Sequence, residues 1–204
     1  MHPLDLATLA AFHKHHQHHP TNAGQVGWHH EAEQRLRFQV LSDIGPLLGH
    51  TVLDAGCGLG DFWAFLKTIG APAHYTGFDC LPRFISQALV RWQEEPRVSL
   101  GVGDFLQADL PQADYVFASG SLNYPSQNPD HPHNAIRNLW NHARVGMAFN
   151  LLRQQPGRPT DYLRSYDPQA IMEYCQTLSP YVRLRTDYMP GDFTLYLYRN
   201  DPTS

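Results

Sequence analysis

The stretch Val52-Leu53-Asp54-Ala55-Gly56-Cys57-Gly58-Leu59-Gly60-Asp61-Phe62 decides the fold of this chain. Its aliphatic start predicts a buried strand, its three glycines predict a tight turn, and the apolar residues that follow predict a helix. Glycine has no Cβ atom, so the backbone of the turn can approach a ligand closely. The first N–H groups of the helix have no partner within it. The segment therefore predicts an α/β fold with a loop that cradles part of a nucleotide-like cofactor.

The spacing of these glycines separates two classes of cofactor. The dinucleotide fingerprint is G-x-G-x-x-G, whereas this loop is G-x-G-x-G, with Asp61 where the last glycine of the fingerprint would fall. Asp54 precedes the first glycine by two residues. A carboxylate at that place repels a pyrophosphate and attracts a ligand that carries ammonium and sulfonium groups. The loop therefore favours a sulfonium cofactor over a dinucleotide.

The same stretch resembles the first motif of the class I S-adenosylmethionine-dependent methyltransferases, (V/L)-L-(D/E)-x-G-x-G-x-G. Residues 75–82, where a predicted strand ends at Asp79, resemble the second motif. An acid at this place suits the ribose hydroxyls of S-adenosylmethionine and of NAD alike. By the resemblance, Asp104 and Phe105 contact adenine, and ordinary core packing is the alternative for Phe105. The cofactor-binding residues that it implies are Asp54, Gly56, Cys57, Gly58, Gly60, Asp79, Cys80, Asp104, Phe105 and Ser119.

The end of the chain carries a second indication of the fold. Residues 181–188 and 193–199 alternate between apolar and polar side chains, which predicts an antiparallel hairpin. A final strand inserted in an otherwise parallel sheet is the architecture that the family resemblance implies. An NAD-type sheet would instead end in a parallel strand that follows a helix. We therefore expect one doubly wound, mostly parallel, seven-stranded sheet with a C-terminal antiparallel hairpin, in a single domain over residues 28–204.

Residues 1–27 form a histidine-rich leader in this interpretation, helical from Asp5 to Phe12 or mobile. Two explanations of its histidines remain open, a transition-metal site and a solvated segment that binds metal only adventitiously. The absence of interleaved cysteine or acidic residues favours the second, so no metal is expected. The histidines in question are His13, His15, His16, His18 and His19.

The acceptor side of the site is expected beyond the carboxyl ends of the later strands. The candidates are Ser119, Gly120 and Tyr124, with an ordinary surface turn as their alternative. Residues 153–161 are a plausible substrate-side loop, which Tyr162, Arg164 and Tyr166 would line. His131 and His133 lie in a predicted loop ahead of a helix at 135–142, where each is either a general base or a solvated residue.

The helix predicted over residues 29–44 contributes further candidates. Trp28 and a neighbouring histidine, His29 or His30, are candidates for a lid over the site. Arg35 or Arg37 is a candidate partner for the methionine carboxylate of the cofactor. The simpler explanation, that both arginines are solvated helix charges, is preferred for each.

Composition excludes several classes of protein. Charged residues make up 17% and hydrophobic residues 42%, as in soluble globular chains, and no apolar run approaches the ~20 residues of a membrane span. The net charge of −4 disfavours nucleic acid as a partner. The three cysteines have neither zinc nor disulfide spacing, which suits a cytoplasmic location.

These observations predict a methyltransferase that uses S-adenosylmethionine to methylate an O, N or C nucleophile of a small molecule or a protein. Catalysis requires mainly that acceptor, methyl group and sulfur be aligned and water excluded. No general base can be assigned. The alternatives are a non-catalytic module that binds the cofactor and, with less support, a nucleotide-dependent oxidoreductase.

Overall fold

The computed structural model describes residues 2–28, 30–154 and 163–202. Seven helices and seven strands are seen in these residues. The helices are α1 (Pro3–His16), α2 (Asn22–Gln25), α3 (Glu31–Ser42), α4 (Asp61–Ile69), α5 (Pro82–Arg91), α6 (His131–Asn141) and α7 (Pro168–Gln176). The strands are β1 (Thr51–Ala55), β2 (His74–Asp79), β3 (Val98–Val102), β4 (Ala113–Ser119), β5 (Ala143–Leu152), β6 (Tyr181–Arg185) and β7 (Asp192–Tyr198).

All seven strands form one sheet in the order β3-β2-β1-β4-β5-β7-β6. The first five run parallel, and β7 is inserted antiparallel between β5 and β6. The predicted seven-stranded sheet and its terminal hairpin are therefore confirmed. All seven residues of β7 are buried although its sequence alternates, because this strand has a neighbour on each side and is covered on both faces.

Helices cover both faces of the sheet. On one face, α6 and α7 pack on a core that includes Val116, Phe149 and Leu195. On the other, α3, α4 and α5 pack on a core that includes Val52, Phe117 and Tyr196. Neighbouring residues of one strand point to opposite faces, which is why Val116 and Phe117 belong to different cores. The fold is thus doubly wound, as the sequence predicted.

Helix α6 begins earlier than the sequence predicted. We expected a loop over residues 126–134, but the helix starts at His131, with Pro132 in its first turn. Proline is well suited to that position because its missing N–H has no partner in the helix and its φ is already helical. The proline that was interpreted as a loop residue is therefore part of the start of the helix.

The segment before residue 28 packs against the body of the protein. Leu9 of α1 is buried in a small cluster with Leu59, Leu81 and Phe84. Asp5, one turn earlier, accepts hydrogen bonds from the Ser126 hydroxyl at 2.7 Å and from the Gln127 N–H at 3.0 Å. Helix α1 therefore lies across the carboxyl ends of the parallel strands. No helix among the described residues is long and apolar enough to cross a membrane.

Candidate active site

The glycine loop joins β1 to α4 at the centre of the sheet. Gly56, Gly58 and Gly60 have φ values of 85°, 53° and 74°, a region that other residues rarely adopt. A Cβ atom on Gly56 would lie 2.3 Å from the Cβ of Ser121. The N–H group of Gly56 donates to the carbonyl of Phe78 at 2.7 Å, which ties the loop to β2. The spacing of the glycines thus produces a tight turn whose backbone faces a pocket.

Asp79, at the end of β2, organises the neighbouring backbone. Its carboxylate accepts hydrogen bonds from the N–H of Gly58 at 3.0 Å and the N–H of Leu81 at 2.8 Å. Burial raises the pKa of this carboxyl to about 6, although both N–H groups and the nearby Arg83 guanidinium act in the opposite direction. Asp79 therefore links the glycine loop to the start of α5 and stays largely ionised at neutral pH.

Asp54, on β1, is the second buried carboxyl group of the site. The hydroxyl of Tyr75 donates to its Oδ2 atom at 2.5 Å. Burial raises the pKa of Asp54 to about 7, the Tyr75 hydrogen bond lowers it, and the charges of Asp79 and Asp61 raise it further. The glycine loop therefore lies between two buried carboxyl groups.

These groups face one pocket at the carboxyl ends of the strands. Four carboxyl groups line it, those of Asp5, Asp54, Asp61 and Asp79, and no lysine or arginine does so within the described parts of the chain. The residues implied by the sequence that line the pocket are Asp54, Gly56, Cys57, Gly58, Asp79, Cys80, Phe105 and Ser119. The pocket is therefore electronegative and excludes anionic groups more strongly than cationic ones.

Two of the implied residues lie beside the pocket rather than in its wall. Gly60 is the N-cap of α4, and a Cβ atom there would lie 2.5 Å from Nε1 of Trp92. Asp104 accepts a hydrogen bond from the N–H of Leu106 at 3.0 Å and so shapes the turn after β3. Phe105 both lines the pocket and belongs to the core, so the two alternatives for it are compatible.

The acceptor-side candidates are also gathered at the pocket. Gly120 and Tyr124 line it, and Trp28 lies so close that a Cβ atom on Gly120 would be 2.8 Å from its ring. His131 lines it too, and burial lowers the pKa of its imidazole despite the charges of Asp104 and Asp5. It is therefore not a solvated loop residue, which was one of the two explanations left open for it.

The other candidates from that region have structural contacts. The ring of His133, now in α6, lies 4.3 Å from that of Tyr174. Arg164 donates to the carbonyl of Ser126 at 2.8 Å, and the hydroxyl of Tyr166 donates to that of Leu122 at 3.0 Å. His29, Tyr162 and most of the loop predicted over residues 153–161 lie outside the described residues.

The sequence favoured Arg37 as a solvated charge on the helix, and the structure shows that this prediction is wrong. Arg37 is 4% exposed, and its guanidinium pairs with Asp192 at the start of β7, with one hydrogen bond at 3.0 Å. The same guanidinium lies over the ring of Trp28, 4.4 Å from its centroid. Arg35, two residues earlier, is exposed as expected. Arg37 therefore supports the pocket wall through Trp28 and does not line the pocket itself.

Helix α1 supplies a wall of the pocket that sequence reasoning missed. Asp5, Leu9, Phe12 and His13 line the pocket. They are spaced by four, three and one residues, which places them on one face of a helix. This helical spacing is visible in the sequence, but the many histidines of the segment favoured metal binding or exposure to solvent instead.

His13 is buried, unlike the solvated histidine that we expected. Its Nε2 atom lies 2.9 Å from the Tyr124 hydroxyl, and its backbone carbonyl accepts a hydrogen bond from Arg83 at 2.8 Å. Burial, together with the positive charges of Arg83 and His16, lowers the pKa of His13 to about 4. The imidazole is therefore neutral at physiological pH and a weak base.

Comparison with protein families decides the identity of this fold. Residues 52–146, which run from β1 into β5, match the methyltransferase domain family. The chain therefore contains a methyltransferase domain. No protein of curated function matches it in sequence.

Solved structures resemble the methyltransferase in fold at low identity. Magnesium protoporphyrin IX methyltransferase (ChlM) from Synechocystis PCC 6803, with bound SAH, is 18% identical, with a TM-score of 0.66 over 82% of this chain and 84% of that one. The putative methyltransferase of Haloferax volcanii, in complex with the activator Trm112, is 12% identical, with a TM-score of 0.66 over 96% and 97%. The [4+2]-cyclase SpnF is 16% identical, with a TM-score of 0.64 over 84% and 83%.

The buried His13 gives the methyltransferase a predicted sensitivity to acid. The pKa is about 4 in the folded chain and 6.5 when exposed, so the unfolded chain binds more protons between these values and stability falls as the pH falls through them. We expect His13→Gln, which cannot titrate, to reduce the loss of stability between pH 7.5 and pH 5 by about 1–2 kcal/mol. Thermal unfolding at both pH values measures this effect.

The exposed His15 provides the matched control for that experiment. His15→Gln removes an imidazole from the same helix and should leave the difference in melting temperature between the two pH values unchanged. Equal behaviour of the two variants would show that burial of His13 does not contribute to acid sensitivity.

Proposed function

We propose that the pocket holds S-adenosylmethionine on the glycine loop, and that the enzyme methylates a small molecule enclosed beside it. The observation that carries this proposal is the combination of a Cβ-free turn with buried carboxyl groups and no cationic side chain among the described lining residues. A pyrophosphate would be repelled by this wall, whereas a ligand with ammonium and sulfonium groups would be attracted.

The residues of the pocket fit the parts of this cofactor. In the proposed mode, Asp79 accepts hydrogen bonds from the ribose hydroxyls, because a carboxylate can accept more than the two backbone hydrogen bonds that it already has. Phe105 and Cys80 contact the adenine side. The glycine loop approaches the methionyl part, and Asp54 pairs with its ammonium group. Ser119 then lies on the side of the reacting methyl group.

The bound cofactor supplies a methyl group that is already activated by its positive sulfur. The protein has to bind the acceptor in line with it and keep water away. In our proposal Tyr124, Gly120 and Trp28 border the acceptor, and α1 excludes water from above. His13 is a poor proton acceptor because its pKa is about 4. We therefore assign no general base and expect an acceptor that attacks without one.

The position of α1 favours a small-molecule acceptor over a protein side chain. Its residues Leu9, Phe12 and His13 form a wall of the pocket, and three hydrogen bonds to Asp5 and His13 side-chain atoms fasten the helix. A folded protein could reach the methyl group only after this helix was displaced. A small acceptor without negative charge fits the aromatic and acidic wall better.

The alternatives predict different binding behaviour. An oxidoreductase would have to place a pyrophosphate beside Asp54 and Asp61, against electrostatic repulsion. A non-catalytic module would bind the cofactor without turnover. The cyclase among the structural neighbours makes a further point, that this fold alone does not specify the reaction. Binding and turnover must therefore be measured separately.

Calorimetric titration with S-adenosylmethionine, S-adenosylhomocysteine and NADH tests the proposal. We expect saturable micromolar binding of the first two and none of the third. Screening of small neutral acceptors with a labelled methyl group then tests turnover. Saturable binding of NADH, or no binding of the sulfur compounds to folded protein, would contradict the assignment of the cofactor. Labelling of proteins but of no small molecule would contradict the assignment of the acceptor.

A further inference from the structure

Tyr75 is a buried tyrosine whose hydroxyl reaches the site from the neighbouring strand. It lies on β2 opposite Val52 of β1, and Asp54 lies two residues further along β1 on the same face of the sheet. Its side chain is fully buried and packs against Trp63, with 5.5 Å between ring centroids. Its hydroxyl donates to Oδ2 of Asp54 at 2.5 Å. Tyr75 does not itself line the pocket.

We propose that Tyr75 is a positioning residue, whose hydroxyl holds one oxygen of Asp54 and leaves the carboxylate charged and directed at the ammonium group of the cofactor. This inference rests on the proposed function, in which Asp54 binds that ammonium. Tyr75 acts only through Asp54. Tyr75 therefore determines the fraction of enzyme molecules in which Asp54 is ionised, and can bind the ammonium group of the cofactor, at a given pH.

The surroundings of Asp54 explain why such a donor is needed. Asp79 at the end of β2 and Asp61 at the start of α4 are like charges, and the Cys57 thiol lies on the loop beside it. Arg91 forms an ion pair with Asp61, and Arg83 lies beside Asp79. Tyr75 is the one hydrogen-bond partner of the Asp54 side chain among the described residues. Without it, the pKa of this buried carboxyl would be higher, and a smaller fraction of it would be ionised at neutral pH.

The direction of the pKa values agrees with this role. The pKa of Asp54 is raised to about 7 by burial, and the Tyr75 hydrogen bond keeps it from rising further. Burial and the charge of Asp54 raise the pKa of Tyr75 well above its ordinary value, so the phenol remains a donor throughout the accessible pH range. Loss of the Tyr75 hydrogen bond should raise the pKa of Asp54 by about one or more, because a hydrogen bond to a charged group contributes about 1.5–3 kcal/mol.

The experiment compares Tyr75→Phe with the wild-type enzyme in calorimetric titrations with S-adenosylhomocysteine from pH 6 to pH 9. This ligand carries the ammonium group without the sulfonium, and its own titration cancels in the ratio of the two dissociation constants. If the substitution raises the pKa of Asp54 by about one, the dissociation constant of Tyr75→Phe divided by that of the wild type should be about nine at pH 6, about five at pH 7 and close to one at pH 9. A ratio that is constant with pH would overturn the inference.

Tyr115 provides the matched control. It lies on β4, opposite the same residue Val52 but on the other side of β1, and it is also buried. Its hydroxyl lies toward Gly45, away from the pocket. Tyr115→Phe should give a ratio near one at every pH. A pH-dependent ratio in this control would show that loss of any buried hydroxyl is sufficient, and would remove the role from Tyr75.

Two further variants keep the test decisive. In an Asp54→Asn background there is no charge to hold, so adding Tyr75→Phe should produce no pH-dependent change. If Tyr75→Phe does not fold, 3-fluorotyrosine at position 75 preserves the shape and is a stronger donor, so affinity should persist to lower pH than in the wild type. An unchanged profile would refute the inference. Absence of ligand binding by the wild-type enzyme would instead refute the proposed function.

Discussion

Asp79→Ala should weaken binding of S-adenosylmethionine by about 1–3 kcal/mol, roughly five- to 150-fold. The substitution removes the proposed ribose acceptor, and it also leaves the buried N–H groups of Gly58 and Leu81 without their partner. Each unsatisfied buried donor costs about 1–3 kcal/mol, so the total loss is expected to be about 3 kcal/mol or more. Part of this loss should appear as weaker binding and part as a lower melting temperature, which calorimetry and thermal unfolding measure separately.

Asp114→Ala is the control for this prediction. Asp114, near the opposite end of the sheet, also accepts a hydrogen bond from a backbone N–H, that of Thr51 at 2.8 Å, and it does not line the pocket. Its loss should lower the melting temperature and leave affinity unchanged. Asp79→Asn, which keeps an oxygen that can accept, should fall between Asp79→Ala and the wild type. Affinity of folded Asp79→Ala within a few-fold of the wild type would remove Asp79 from the binding site.

The contrast between Asp79 and His13 shows what local sequence could predict. Asp79 follows a short strand at a fixed distance from the glycine loop, and both features are local patterns whose geometry is narrow. His13 lies in a segment where composition suggested solvent, and its burial depends on Tyr124, 111 residues later. Composition describes the average environment of a segment, whereas burial is decided by what the rest of the chain places on it.

The architecture was accessible for a similar reason. Strands and helices alternate with clear apolar periods, and the final hairpin joins two alternating runs by a short connection. The alternation of residues did not itself indicate which of the two strands would be central; only the family resemblance implied that the last strand is inserted. Strand β7 is buried because β5 and β6 flank its edges and the two cores cover its faces, which depends on the sheet order and on the helices rather than on its own residues.

The pocket wall combines these two kinds of information. The part made of the glycine loop, Asp79 and Phe105 comes from motifs. The part made of α1 and Trp28 comes from packing between distant segments. If the proposed function holds, the first part binds the cofactor that the family shares, and the second part determines the acceptor. Acceptor specificity should therefore respond to substitutions in α1 that leave cofactor affinity unchanged.

Of all the single substitutions proposed for this protein, Arg37→Ala should lower the stability of the fold most. Arg37 and Asp192 are both buried, and their pairing joins α3 to the start of β7, 155 residues apart in sequence. Removal of one partner leaves the other charge buried and uncompensated, which typically costs about 3–5 kcal/mol. For a chain of this size we expect the melting temperature to fall by about 10 °C. Trp28 also loses the guanidinium over its ring, so its fluorescence should change.

Arg35→Ala separates the buried pair from a general effect of charge. It removes the same type of side chain from the same helix at an exposed position, so stability should change by less than about 0.5 kcal/mol. Arg37→Met combined with Asp192→Leu removes both charges and should recover much of the stability lost in Arg37→Ala. If Arg37→Ala is as stable as Arg35→Ala, the buried pair does not stabilise the fold. Recovery of stability without recovery of ligand binding would instead indicate that Arg37 is needed to hold Trp28 at the pocket.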